Sequence, residues 1–190
     1  MSSTNSRNVQ KIVVIGPEST GKSSLCEALA IHYKTIWCKE YAREFFNKNG
    51  IAYNYETLTT IARGQLAEEE AAIEMVLAQI KNNGSNKLII DTEMYVMKVW
   101  SEYVFNNCDP LILEKINERS YDLYLLCDID LPWTKDEMRE YPNEAPRKEL
   151  FMIYKDLLVN QNTPWAVVSG QGEDRIKNAI NAIEAQLENK

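Results

Sequence analysis

Gly16-Pro17-Glu18-Ser19-Thr20-Gly21-Lys22-Ser23 constrains this chain more than any other stretch. It follows a β-branched run at residues 12–15. It precedes a helical pattern at residues 23–33, where Leu25, Ala28, Leu29 and His32 recur at i, i+3, i+4 and i+7. A G-x-x-x-x-G-K-[ST] loop between a buried strand and a helix is built to wrap phosphate. Gly16 and Gly21 let the backbone close around the anion, so that amide N–H groups point inward. The helix that follows adds its dipole and its unpaired N-terminal N–H groups. Lys22 reaches the β- and γ-phosphates of ATP, and the Ser23 hydroxyl helps hold Mg²⁺. Glu18, Ser19, Thr20 and Ser24 complete the nucleotide-binding stretch, Ser19 and Thr20 supplying turn geometry and amides rather than chemistry.

Elsewhere, short apolar runs at residues 35–38, 88–90, 122–129 and 166–169 read as strands. Helical patterns occupy residues 57–81, 94–105, 111–117, 147–160 and 173–188. Strands separated by helices imply βαβ units and a parallel sheet, here of about five strands flanked by helices: an α/β P-loop NTPase domain. Residues 1–9 read as a disordered polar tail, and residues 10–190 as one domain. Residues 131–147 are broken by Pro132, Pro142 and Pro146 and carry Lys135, Arg139 and Arg147. That composition suggests a mobile lid bearing cations, which excludes water and stabilises charge on a transferring group.

With 190 residues the chain suits one domain with a real core. A net charge of −7 argues against a broad nucleic-acid surface. No apolar run approaches the roughly 18 residues of a membrane span, and the N-terminal residues lack the apolar region of a signal peptide. Cys26, Cys38, Cys108 and Cys127 lie far apart with no C-x-x-C pair, as expected of free thiols in the cytoplasm. His32 is the only histidine, which excludes sites needing two.

A metal–nucleotide site also wants an acid at the end of a neighbouring strand. Asp91 follows the apolar run "LII" and is the favoured candidate, with Glu93 close behind it. Asp128 and Asp130 follow another strand but read more simply as turn or cap residues. After the second strand, "CKEYAREFF" brings Glu40, Arg43 and Glu44 to one helical face. A carboxylate at Glu40 could accept the proton of an acceptor hydroxyl. Trp37, Trp133, Tyr41, Tyr53 and Tyr55 are candidates to stack a flat ring.

The order of "GPESTGKSSL", "EYAREF", "IIDTE" and "DLYLLCDIDLPWTKDEMRE", with Arg147 after them, resembles the ribosylnicotinamide kinase domains of NadR-type proteins, which are grouped with AAA-like small P-loop ATPases. The resemblance covers about residues 10–185. It implies a nucleoside- or nucleotide-kinase-like fold and an ATP-dependent phosphorylation of the 5′-hydroxyl of nicotinamide riboside. The substrate would be a small riboside, with ATP and Mg²⁺ as cofactors. In that reading Glu40, Tyr41, Arg43 and Glu93 meet the riboside. Lys22, Glu40, Asp91, Arg139 and Arg147 carry the chemistry, and Ser23 and Asp91 hold the metal. Glu40 is the first choice of base and Glu93 the second. The bifunctional members also carry an adenylyltransferase domain with an H-x-G-H motif. With His32 standing alone, adenylyl transfer is not expected here. A kinase for another nucleoside or nucleotide, and a nucleotide-dependent regulatory ATPase, are the alternatives. The oligomeric state is not specified by any of these features.

Overall fold

The computed structural model describes residues 8–187. The tail expectation for residues 1–7, and the last residue of the expected closing helix, Glu188, lie outside the described residues. The chain runs β1 (Gln10–Ile15), α1 (Lys22–Tyr33), β2 (Ile36–Cys38), α2 (Tyr41–Asn49), α3 (Tyr55–Lys81) and β3 (Lys87–Asp91). It continues through α4 (Met94–Phe105), α5 (Pro110–Glu118), β4 (Leu123–Cys127), α6 (Glu144–Val159), β5 (Trp165–Val168) and α7 (Gly172–Leu187). No helix among the described residues is long and apolar enough to cross a membrane.

All strand pairs are parallel, in the order β2-β3-β1-β4-β5. The expected five-stranded sheet is therefore present. β1 sits at its centre because residues 12–15 are apolar on both faces, and all four are fully buried. One face packs Val13, Ile15, Leu88, Ile90 and Leu126 with side chains of α3, α4 and α6. The other packs Ile12, Val14, Ile89 and Leu125 with α1 and α7. A third cluster joins α2, α3, α4 and α5 around Phe46, Leu58, Ile61, Met97 and Ile112, above the sheet's carboxyl end. The register pairs Val14 with Asp91 and Ile15 with Leu126. The strand ends at Ile15, Asp91 and Cys127 thus share one rim, the usual ligand side of an open parallel sheet.

The boundaries depart from the sequence reading in telling places. β4 stops at Cys127, and the backbone N–H of Lys11 donates to the side chain of Asp122 at 2.7 Å, outside the strand. α3 begins at Tyr55, fixed by a capping box in which Asn54 and Thr57 exchange hydrogen bonds. α6 starts at Glu144, so Pro146 lies in its first turn rather than in a loop. Proline is tolerated there because first-turn N–H groups have no partner within the helix. The stretch expected to form a lid accordingly runs over residues 131–143, with no helix or strand. Arg147, expected on the lid, is a helical residue only 4% exposed.

Candidate active site

The phosphate loop lies between β1 and α1. Gly16 has φ +138°, and a Cβ there would lie 2.9 Å from the carbonyl oxygen of Cys127. No side chain could occupy that position without moving β4. Gly21 (φ 75°) precedes α1, and no side chain caps this helix end. The end is left open to an anion. Ser19 also adopts positive φ, 57°. A left-handed conformation costs a non-glycine residue about 1 kcal/mol, and here the surroundings hold it in place. The Ser19 Oγ accepts from the backbone N–H of Thr134 at 2.9 Å and from Arg139 Nη1 at 3.3 Å. Thr20 is fully buried, its hydroxyl donating to the carbonyl of Pro17 at 2.7 Å. The Lys22 ammonium donates to that same carbonyl at 2.9 Å.

A residue not singled out in the sequence reading braces this loop from behind. Arg175 on α7, 4% exposed, donates to the carbonyls of Thr20 (2.8 Å), Asp128 (3.0 Å) and Gly170 (2.9 Å), and pairs with Asp130 at 2.7 Å. Asp128 accepts from the N–H of Ile129. Asp128 and Asp130 thus act at a turn and in a strut. The signal in the sequence was an arginine beside the apolar stripe of the last helix, a place where a charge must be paired.

Asp91, at the end of β3, is fully buried, and neither carboxylate oxygen has a partner in full hydrogen-bond geometry among the described residues, although the Ser23 hydroxyl lies near enough to favour its charged form. Burial pushes its carboxyl up to about 7, and the Glu40 charge adds to the rise; Lys22, the Ser23 hydroxyl and Arg43 oppose it. A buried, unpartnered carboxylate beside a phosphate loop is an expensive arrangement unless a cation joins it. Among the described residues there is no cluster of three or more His, Cys, Asp or Glu side chains that would form a complete metal cage. Ser23 and Asp91 border one cavity, and a hydroxyl and a carboxylate oxygen are donors that suit Mg²⁺, an ion that takes few protein ligands and completes its shell with phosphate oxygens and water.

Glu40 caps the start of α2 by position only, since its side chain makes no cap hydrogen bond. Glu40 lines three cavities, one of which, of about 510 Å³, it shares with Ser23, Trp37, Tyr41, Arg43 and Asp91. The two others adjoin. One, of about 240 Å³, is bounded by Lys22, Ser23, Ser24, Arg43 and Arg139. The second, of about 280 Å³, is walled by Tyr53, Trp100, Tyr103, Tyr141 and Tyr154. Glu18, Lys22 and Trp100 border both of the adjoining cavities. Arg43 also pairs with Asp136 of the lid at 3.2 Å.

The remaining expected site residues are placed differently. Glu93 is 1% exposed and caps α4, accepting from the N–H of Tyr95 at 2.8 Å; burial pushes its carboxyl up to about 8. It borders none of the three cavities, its carboxylate being held at the start of the helix that it caps. The Tyr41 ring packs on Gly64 of α3, where a Cβ would lie 2.0 Å from it, and its backbone N–H donates to Gln65. Tyr41 thus joins α2 to α3; it does not wall the aromatic cavity but lines the one shared by Ser23, Glu40, Arg43 and Asp91. Arg147 Nη2 donates to the carbonyls of Leu131 (3.0 Å) and Ser19 (3.4 Å), tying the lid's root to the phosphate loop from within α6. Of the aromatic candidates, Tyr53 lines the aromatic cavity, and Trp37 and Tyr55 do not. Trp133 reaches Glu18 instead. Sequence reasoning missed Trp100 and Tyr103, although Val96, Val99, Trp100 and Tyr103 follow helical i, i+3, i+4, i+7 spacing down one face of α4, and all four border the cavity.

A five-stranded parallel sheet flanked by helices, with a phosphate loop and a strand-end acid at its carboxyl rim, defines the P-loop nucleoside and nucleotide kinase fold. Solved structures agree. Deoxyadenosine kinase from M. mycoides matches at TM-score 0.59 and 16% identity, over 93% of this chain and all of its own. Thymidylate kinase from Ehrlichia chaffeensis matches at 0.58 and 12%, over 94% and 98%. The sequence matches the AAA domain family over residues 11–175, and the chain belongs to that family. It is similar to the trifunctional NAD biosynthesis/regulator protein NadR of Escherichia coli, 26% identical over 171 residues. That match covers 87% of this chain and 40% of the length of the relative. A NadR protein solved in complex with NR superimposes with TM-score 0.76 at 20% identity, over 95% of this chain and 50% of that one.

Proposed function

We propose that this protein transfers the γ-phosphoryl group of ATP to the 5′-hydroxyl of nicotinamide riboside, giving nicotinamide mononucleotide. The observation that carries the reading is Glu40, which borders both the phosphate cavity and the aromatic cavity. A hydroxyl held there lies between a proton acceptor and the end of a triphosphate. The similarity to NadR, including a NadR structure holding NR, supports the choice of riboside.

The loop amides and Lys22 hold the β- and γ-phosphates. Lys22 exchanges its bond to the Pro17 carbonyl for phosphate oxygens. Ser23 and Asp91 would hold Mg²⁺, which would neutralise charge on the phosphates. The aromatic walls at Tyr53, Trp100 and Tyr141 sandwich the flat ring of the acceptor. As the acceptor oxygen bonds to the γ-phosphorus, its proton passes to Glu40, and the bond from phosphorus to the bridging oxygen of ADP breaks. Arg139, on the lid and bordering the phosphate cavity, stabilises the charge on the transferring group. Mixing the purified protein with Mg-ATP and nicotinamide riboside should yield the mononucleotide. No product, with ATP binding intact, removes this substrate. The fold shared with deoxyadenosine and thymidylate kinases favours another nucleoside or nucleotide as the alternative, which a panel of such acceptors separates.

A further inference from the structure

Glu18 stands in the middle of the phosphate loop and borders the phosphate cavity, yet its carboxylate is engaged by residues of the expected lid. Oε2 accepts from the backbone N–H of Glu140 at 2.8 Å. Oε1 accepts from the backbone N–H of Tyr141 at 2.7 Å and from the Trp133 indole at 3.1 Å. Three lid donors thus converge on one side chain, at both ends of the lid. The neighbouring Ser19 hydroxyl adds the N–H of Thr134 and the guanidinium of Arg139. The grip extends into the aromatic cavity. Tyr141 is part of its wall, and the Glu140 carboxylate lies 3.0 Å from the Tyr53 hydroxyl, which accepts from the Trp100 indole at 3.1 Å. On the other side, Glu18 adjoins Pro17, whose carbonyl holds both Lys22 and Thr20. A phosphate that takes over Lys22 thus acts directly on the peptide that carries Glu18.

We propose that Glu18 is a positioning residue that couples the nucleotide site to the lid, and through the lid to the acceptor cavity. The second half of this statement rests on the acceptor reading above; the first half does not. A two-site link of this kind is reciprocal: nucleotide tightens the lid, and through it the acceptor, by the same factor that the acceptor tightens nucleotide. Glu18 has no equal substitute. Glutamine offers a single acceptor oxygen and sets its NH₂ group against a backbone N–H, so the amide loses at least one of the two main-chain bonds.

The test compares the protein with Glu18→Gln and Trp133→Phe, each first shown to melt cooperatively. Trypsin cleavage after Lys135 and Arg139 reads the lid without any acceptor. It should be about tenfold faster in Glu18→Gln, and the slowing produced by Mg-ADP in the parent should be lost there. Trp133→Phe removes one donor of three and should show a smaller change in the same direction. Calorimetry reads the acceptor: nicotinamide riboside should bind about tenfold more tightly with a non-hydrolysable ATP analogue present, an enhancement missing in Glu18→Gln. Lid cleavage unaltered in Glu18→Gln, or nucleotide protection that survives there, overturns the proposal. If Glu18→Gln fails to fold, Trp133→Phe decides on the same two readings. A parent that binds no riboside refutes the acceptor assignment alone, and the trypsin readings still decide the role of Glu18.

Discussion

At the scale of single residues, Lys22 and Glu40 differ in the contacts they make now. Lys22 is already engaged with the Pro17 carbonyl, while the Glu40 carboxylate makes no cap bond. Lys22→Ala removes a charge-assisted bond to phosphate, and nucleotide affinity should fall about tenfold to a hundredfold in a direct titration. Glu40→Gln should leave that titration nearly unchanged and lower turnover roughly a hundredfold, as expected of a proton acceptor in a reaction governed mostly by positioning. Unaltered turnover in Glu40→Gln would remove it from the chemistry. Both residues were legible in the sequence because a fixed motif or a strand end dictates where they stand. Glu93 and Tyr41 were not so easily read. Each sits two residues or fewer from a well-placed neighbour, but a helix start turns the Glu93 carboxylate to its own cap and sets the Tyr41 ring on Gly64. Adjacency along the chain does not specify the direction of a side chain once a helix begins.

The lid and α6 show the same limit for whole elements. Prolines and charges between residues 131 and 146 suggest one irregular excursion, yet Pro146 is accepted inside the first turn of a helix. The shift of three residues turns Arg147 from an exposed lid cation into a buried strut. It also separates the fates of two arginines that the sequence presents alike. Arg139→Ala should reduce phosphoryl transfer severalfold or more with little change in melting temperature, since its guanidinium bonds are partly exposed. Arg147→Ala should lower stability, by about 1–3 kcal/mol, because it leaves the Ser19 and Leu131 carbonyls unpaired beside a buried gap. Urea melts and steady-state rates on the two variants separate the outcomes, and equal melting temperatures would contradict the strut. Trp100 illustrates the converse. Its helix was correctly placed by periodicity, but which flank of α4 faces a cavity depends on α2, α6 and the lid, elements that approach from elsewhere in the chain.

At the scale of the molecule, alternation of strands and helices conveys the class of fold, whereas the order β2-β3-β1-β4-β5 emerges only from packing. That order sets β3 beside β1 and carries Asp91 to the phosphate loop, where burial has a consequence for the whole protein's stability. An unfolded Asp titrates near 3.9, and in the folded chain Asp91 is pushed up to about 7. The sign follows from proton binding. Below about pH 4 both states hold the proton, and the full stability is present. As pH rises towards 7 the unfolded chain releases its proton first, so stability falls across that window and the deficit stays constant above it. Asp91→Asn removes the titration without removing the shape. Its stability relative to the parent should therefore grow between pH 4 and pH 8, by on the order of 2–4 kcal/mol at the upper end. Glu93, pushed up to about 8, titrates identically in both proteins and cancels from the comparison. Magnesium nucleotide supplies the counter-charge for the parent alone, so it should stabilise the parent more than Asp91→Asn, and by more at pH 8 than at pH 6. Thermal melts of both proteins across this range, with and without Mg-ATP, check each step. A constant difference between the two would mean that Asp91 is already charged at low pH and that its buried oxygens have a partner.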